Sequence, residues 1–210
     1  MIEIITKGNF SLCRGEIGVD DFSPYLESLP KIDFVYCGLP KPEYYRYWYS
    51  TMKTKPQMNY EDYLLVVGDI LVQLDAAEYH LEVNDGNKDL VLKIFGNMDL
   101  NFKSMPILYS APIDATSERY ARKRKPDEML VISKKTLQLP TSANYSHEYL
   151  DQVLARPQKL TCFDPAMGKG LLVKFCLKYG HSAHGIDMNW NRLKVALEMI
   201  ETSISSDKPI

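Results

Sequence analysis

The chain has 210 residues, 45% of them hydrophobic and 25% charged, with a formal net charge of -2. That composition excludes a disordered chain and a membrane bundle, and the length suits one ordinary domain over 1–210 better than two. A balance so close to neutral argues against an all-over nucleic-acid coat, yet it leaves room for a local basic strip, since phosphates respond to charge within about 8 Å.

In chain order, residues 18–22 read as a turn and helix start, 24–29 as a short helix, and 32–37 as a buried strand closed by Gly38-Leu39-Pro40. Residues 42–58 crowd Tyr44, Tyr45, Tyr47, Trp48 and Tyr49 onto a helix or helix-like loop, and a clearer helix follows over 60–74. Strands are expected at 79–83, 90–95, 107–110 and 129–133, separated by the turn signal Asn84-Asp85-Gly86-Asn87 and a polar stretch over 114–127. The last third alternates more plainly: helix 147–154, strand 159–163, helix 170–179 with Gly180 at its C-cap, strand 183–186 and helix 190–204. Alternation of this kind predicts an α/β fold with a doubly wound, mostly parallel sheet. No stretch approaches the about 20 apolar residues of a membrane span, and the first residues lack a signal-type apolar segment, so a cytoplasmic protein is expected.

The strand at 159–163 runs into Asp164-Pro165-Ala166-Met167-Gly168-Lys169-Gly170, and a helix starts directly after it. Glycines there let the main chain approach a ligand, and the helix start offers free N–H groups. The next strand ends in Gly185-Ile186-Asp187, whose terminal carboxylate suits a ribose diol. A plain strand–helix turn, with Asp187 capping the last helix, is the competing account.

Taken together, these segments resemble the S-adenosylmethionine-dependent DNA amino methyltransferases, whose cofactor loop reads D-P-F-x-G-S-G and whose next strand reads G-I-E. The resemblance implies a Rossmann-like methyltransferase fold with S-adenosylmethionine as cofactor and DNA as partner. It implies the permuted class, in which the catalytic strand precedes the cofactor loop. By this likeness Phe163, Asp164, Pro165, Ala166, Gly168 and Gly170 face the methionine part of the cofactor, Asp187 the ribose, and Met188 and Asn189 the adenine edge. Residues 18–21 are similar to the acidic turn beside the adenine in that family.

The implied activity is methyl transfer to an exocyclic amino nitrogen, adenine N6 or cytosine N4. The family closes its catalytic strand with D-P-P-Y, or with N or S in place of D; this chain has Gly38, Leu39, Pro40 and Lys41 there. An exocyclic amine needs a hydrogen-bond acceptor and a stacked ring, and neither Gly38 nor Lys41 supplies one. Three explanations compete. Glu43 accepts and Tyr44, Tyr45 or Trp48 stacks; or Cys37 acts as a nucleophile; or the fold is catalytically silent, a binding subunit that pairs with itself or with an active relative.

Arg119, Arg122, Lys123, Arg124 and Lys125 form a basic run suited to DNA phosphates, with a solvated loop as the alternative. Residues 102–144 are the stretch able to furnish a DNA-contacting insertion. The four cysteines lack a C-x-x-C pair and the four histidines lack metal-site spacing, so reduced thiols and structural imidazoles are expected, with no metal.

Overall fold

The computed structural model describes residues 2–96, 100–107, 127–140 and 143–206. Its strands are β1 (Glu3–Lys7), β2 (Phe10–Arg14), β3 (Phe34–Gly38), β4 (Glu78–Val83), β5 (Asn101–Ile107), β6 (Asp127–Ser133), β7 (Thr161–Asp164) and β8 (Ser182–Asp187). Its helices are α1 (Ser23–Ser28), α2 (Pro42–Thr51), α3 (Tyr60–Leu74), α4 (Lys88–Phe95), α5 (Ser146–Val153), α6 (Leu171–Tyr179) and α7 (Trp190–Ser206). Among the described residues no helix is long and apolar enough to cross a membrane.

All eight strands join one sheet in the order β1-β2-β8-β7-β3-β4-β6-β5. The five central strands from β2 to β4 are mutually parallel, while β1, β6 and β5 pair antiparallel with their neighbours. Parallel strands covered on both faces are continuous apolar runs, and β3 and β7 read that way. Alternate residues of one strand serve opposite faces: Val35 and Cys37 pack with α1 to α4, and Phe34 and Tyr36 with α5 to α7. The sheet therefore sits between two helical layers, the first half of the chain supplying one and the last third the other. Each fully buried Leu, Val or Phe in these layers contributes about 1.5–3 kcal/mol.

Residues 90–95, expected as a strand, are helical. The loop before them is tied by its own side chains, Asn87 Oδ1 accepting from Asn84 N–H at 2.8 Å and Asn84 Oδ1 from Gly86 N–H at 2.9 Å. Val91 and Phe95, four apart, then bury one face of α4. Ile94 seats against Gly68 of α3, where an added Cβ would lie 2.7 Å from Ile94 Cδ1. A short apolar run does not reveal its period, and packing against α3 settles it as helix. The strand expected at 107–110 is placed earlier, in β5 ending at Ile107; 108–110 lie outside the described residues. The β1–β2 hairpin carries no expectation from the sequence, because β1 is an exposed edge strand with little alternation. Within 102–144, Phe102 to Ile107 and Asp127 to Ser133 are strands of the common sheet, and 108–126 lie outside the described residues.

Candidate functional site

At the centre of the sheet the chain leaves β7 for α6 on one face and leaves neighbouring β3 for α2 on the other. Connections that part in this way open a crevice at the carboxyl ends of the two strands. Two adjoining clefts occupy it. An apolar one lies between Gly15, Ile17, Tyr45, Trp48, Ala166 and Met188, and a second between Tyr36, Gly38, Asp164, Met167, Gly168 and Lys169. Trp48 and Arg192 border both, the guanidinium carbon lying 5.2 Å from the centre of the indole. This cation–π pair divides a flat, aromatic-walled chamber from a more polar one.

The floor is the glycine loop. Met167 N–H donates to the Ile186 carbonyl at 3.0 Å and Gly170 N–H to the Met167 carbonyl at 2.9 Å, folding the loop across the tip of β8. Gly168 has φ +56°, and a Cβ there would meet no atom within 4 Å; its bare main chain faces the polar cleft. Gly170, with φ +83°, serves packing instead: a Cβ would lie 2.8 Å from Ala196 Cβ of α7.

Two carboxylates stand at the neighbouring strand tips. Asp187 accepts from Gly168 N–H at 2.8 Å through Oδ2 and from Asn189 N–H at 2.7 Å through Oδ1. Burial nonetheless pushes it up to about 6, against those bonds and the nearby Arg192 charge. Asp164 accepts from Ala166 N–H at 2.9 Å. Burial lifts it well above the usual carboxylate range, with the charges of Asp187 and Glu82 adding to the shift. Buried acids lacking a matched cation gain by meeting one, so this end of the crevice favours a ligand bearing positive charge and hydroxyl donors.

The expected site residues divide. Pro165, Ala166, Asp187, Met188 and Asn189 line the apolar cleft, Asp164 and Gly168 the polar one, while Phe163 is buried in the core and Gly170 supports the loop. Of the four residues in the altered motif, Gly38 reaches the cleft and Leu39 is buried beneath it. The Pro40 carbonyl accepts from the Tyr60 hydroxyl at 2.5 Å and Asn87 Nδ2 at 3.5 Å, and Lys41 pairs with Asp127 at 2.7 Å. Tyr44 is half-buried on α2 away from both clefts, whereas Tyr45, Trp48, Tyr49 and Met52 form one helical face along the apolar chamber. Arg119, Arg122, Lys123, Arg124 and Lys125 lie outside the described residues. The turn that reaches the cleft after β2 is Gly15 to Ile17, rather than 18–21; Gly15 N–H donates to the Asp187 carbonyl at 3.3 Å. Cys37 is fully buried, and burial together with the charges of Asp164 and Glu82 holds its thiol well above the ordinary range, which disfavours the thiolate that a nucleophile needs.

Tyr36, Glu82 and Arg192 carry no expectation from the sequence. The signal for Glu82 is an acid placed between Leu81 and Val83 near the end of a buried strand; Arg192 gives none, because its place depends on how α7 lies against α2.

No protein-family model and no curated protein matches the chain. Solved structures do. M1.HpyAVI aligns at a TM-score of 0.58 and 11% identity, over 91% of this chain and 99% of that one, and it is also known as a complex with SAM. TTHA0409 from Thermus thermophilus, assigned as a DNA modification methylase, aligns in its complex with S-adenosyl-L-methionine at 0.54 and 12% identity, over 89% and 93% of the two chains. The PvuII cytosine-N4-specific DNA methyltransferase aligns at 0.56 and 10% identity, over 95% and 93%. Likeness at these identities speaks for architecture alone: one mostly parallel sheet between two helical layers, the Rossmann-like α/β fold of these methyltransferases.

Proposed function

We propose that the chain binds S-adenosylmethionine across the two clefts and is a DNA methyltransferase acting on an exocyclic amino nitrogen, adenine N6 or cytosine N4. The observation that carries this reading is the pairing of Asp187 with the exposed main chain of Gly168 at the sheet's switch point. The cofactor supplies a methyl group on a positively charged sulfur. The residues at the crevice fit it. The apolar chamber between Trp48, Tyr45 and Met188 accepts a purine, Asp187 takes the ribose hydroxyls, and Asp164 offers negative charge to the methionine end. Tyr36 and Gly38 then mark where the extruded base enters, and the run from Arg119 to Lys125 holds the DNA backbone. On this reading the early β3 carries the catalytic motif and the late β7 the cofactor loop, the permuted order.

Titration with S-adenosylmethionine is expected to saturate, and Asp187→Ala to weaken binding by about 10-fold or more, since a charge-assisted hydrogen bond is lost. Transfer of labelled methyl groups to DNA, with analysis of the modified base, tests the reaction. Absence of saturable binding at millimolar cofactor defeats the reading. A silent subunit is favoured by one observation, that Gly38 brings no acceptor of its own. Binding without transfer until an active partner is added is its signature.

A further inference from the structure

The altered motif leaves the position at Gly38 without a side-chain acceptor, yet two oxygens stand where that side chain would emerge. A Cβ built on Gly38 meets Glu82 Oε2 and the Tyr36 hydroxyl, each at 3.9 Å, and nothing nearer. Tyr36 precedes Gly38 by two residues on β3, and Glu82 lies directly opposite Gly38 on β4, so all three share one sheet face. Tyr36 lines the polar cleft beside Gly38 and Asp164, and its hydroxyl donates to Glu82 Oε1.

Glu82 is unusual for a buried acid. It is 3% exposed, and the groups it interacts with are Tyr36 and Cys37 of β3, Ser146 of α5, Asp127 of β6 and Asp164 of β7. Among the described residues no cation forms an ion pair with Glu82, and Lys41, one of the cations at this end of the sheet, is held by Asp127 instead. A structural carboxylate buried this deeply ordinarily has a cation of its own.

We propose that Tyr36 and Glu82 together replace the missing acceptor: the Tyr36 oxygen takes a hydrogen bond from the amino group to be methylated, while its own hydrogen is held by the Glu82 carboxylate. This inference rests on the methyltransferase reading. As the amine lone pair forms the new N–C bond, the S–C bond breaks and its electron pair stays on sulfur. The methylated nitrogen, now cationic, gives one proton to the Tyr36 oxygen as the Tyr36 proton passes to Glu82. Glu82 ends as a carboxylic acid and returns the proton to solvent after product leaves. Burial, opposed by the hydrogen bonds from Ser146 and Tyr36 and aided by the Asp127 charge, pushes Glu82 up to about 7, where it exchanges a proton near neutrality.

The test uses the full chain, S-adenosylmethionine and a mixture of DNA oligonucleotides. Tyr36→Phe and Glu82→Gln are expected to lower kcat by about 100-fold while cofactor Kd stays within about twofold. The wild-type kcat is expected to rise with pH through about 7, a limb that disappears in Glu82→Gln. Gly38→Asp, which has space for its side chain, is expected to restore transfer in the Glu82→Gln background by supplying the acceptor from β3. Transfer that persists undiminished in Glu82→Gln overturns the inference and leaves the methyltransferase reading standing. A wild-type chain that binds cofactor but transfers nothing until Gly38→Asp is introduced also overturns it. A wild-type chain that binds no cofactor overturns both.

Discussion

At the scale of single residues, the two loop glycines have different duties, and the difference is measurable. Both hold positive φ, which costs an alanine about 1–2 kcal/mol at either position. Gly170→Ala adds a clash, because its Cβ would sit 2.8 Å from Ala196 Cβ and 3.1 Å from Met199 Cε; a further loss of about 1–3 kcal/mol is expected from displacing α7. Gly168→Ala meets no protein atom and so should unfold at a higher denaturant concentration than Gly170→Ala, while binding cofactor more weakly because the methyl group intrudes on the polar cleft. Chemical denaturation and cofactor titration of the two variants check both halves; equal unfolding midpoints would refute the division of labour.

The same scale shows what the sequence discloses about the site. Asp164, Gly168 and Asp187 are legible because their spacing is local: strand, glycine turn, helix, strand, acid. Glu82 and Tyr36 are not, because they meet only through the β3–β4 register, which pairs residues 44 positions apart along the chain, Gly38 with Glu82. Likeness alone puts the 18–21 turn beside the cofactor, but the chain already crosses the tip of β8 at Gly15 to Ile17. Past that point it turns outward; a Cβ on Gly18 would meet Met58, not the cleft.

At the scale of elements, α2 turns an aromatic cluster into one wall. Five aromatic residues between 44 and 49 offer no period to read, but the helix sorts them: Tyr45, Trp48 and Tyr49 turn inward with Met52, and Tyr47 is 60% exposed. Tyr45 is fixed by its hydroxyl, which donates to the Met58 carbonyl at 3.0 Å, and by the neighbouring rings of Tyr49, Tyr60 and Tyr63. Trp48 meets Arg192 of the opposite helical layer and borders both clefts. Trp48→Ala removes a stacking surface worth about 1–3 kcal/mol per base, and cofactor affinity is expected to fall by about 10-fold or more. Tyr47→Ala, on the outer face of the same helix, is expected to leave affinity unchanged. Calorimetric titration separates the two, and equal effects would show that α2 acts only through its own stability. The expectation of a strand at 90–95 fails on the same scale, since whether a short run of five apolar residues and Lys93 is strand or helix depends on Gly68 of α3 receiving Ile94.

At the scale of the whole molecule, the protein concentrates buried carboxyl groups at one end of its sheet. Burial raises Asp187 to about 6 and Glu82 to about 7, and lifts Asp164 strongly. The unfolded values are about 3.9 for Asp and 4.3 for Glu, so the folded chain binds these protons more tightly than the unfolded one. For Asp187 and Glu82 the resulting stability is fully present below about pH 4 and is lost as pH rises through about 6 and 7; Asp164 acts in the same direction.

Other groups pull the opposite way. Burial lowers His184 to about 4 and also lowers His80 and His181, so the contribution of these imidazoles is lost as pH falls below about 6.5. Burial also opposes the charged form of Glu78, but hydrogen bonds from His80 and Arg156 bring it down to about 2; that contribution is constant above about pH 4.5. Above about pH 6.5 the histidine effect has faded while Glu82 still gives up its proton through about 7, so between about pH 6.5 and 8 the free protein is expected to lose stability. Glu82→Gln should flatten the decline. A ligand carrying positive charge lowers the carboxyl pKa values on binding and releases protons, so S-adenosylmethionine is expected to raise Tm more at about pH 8 than at about pH 5.5. Denaturation across this range, with and without cofactor, measures both trends; a stability that climbs with pH, or a cofactor effect larger at the acidic end, would mean the acid cluster is screened by water rather than waiting for a cation.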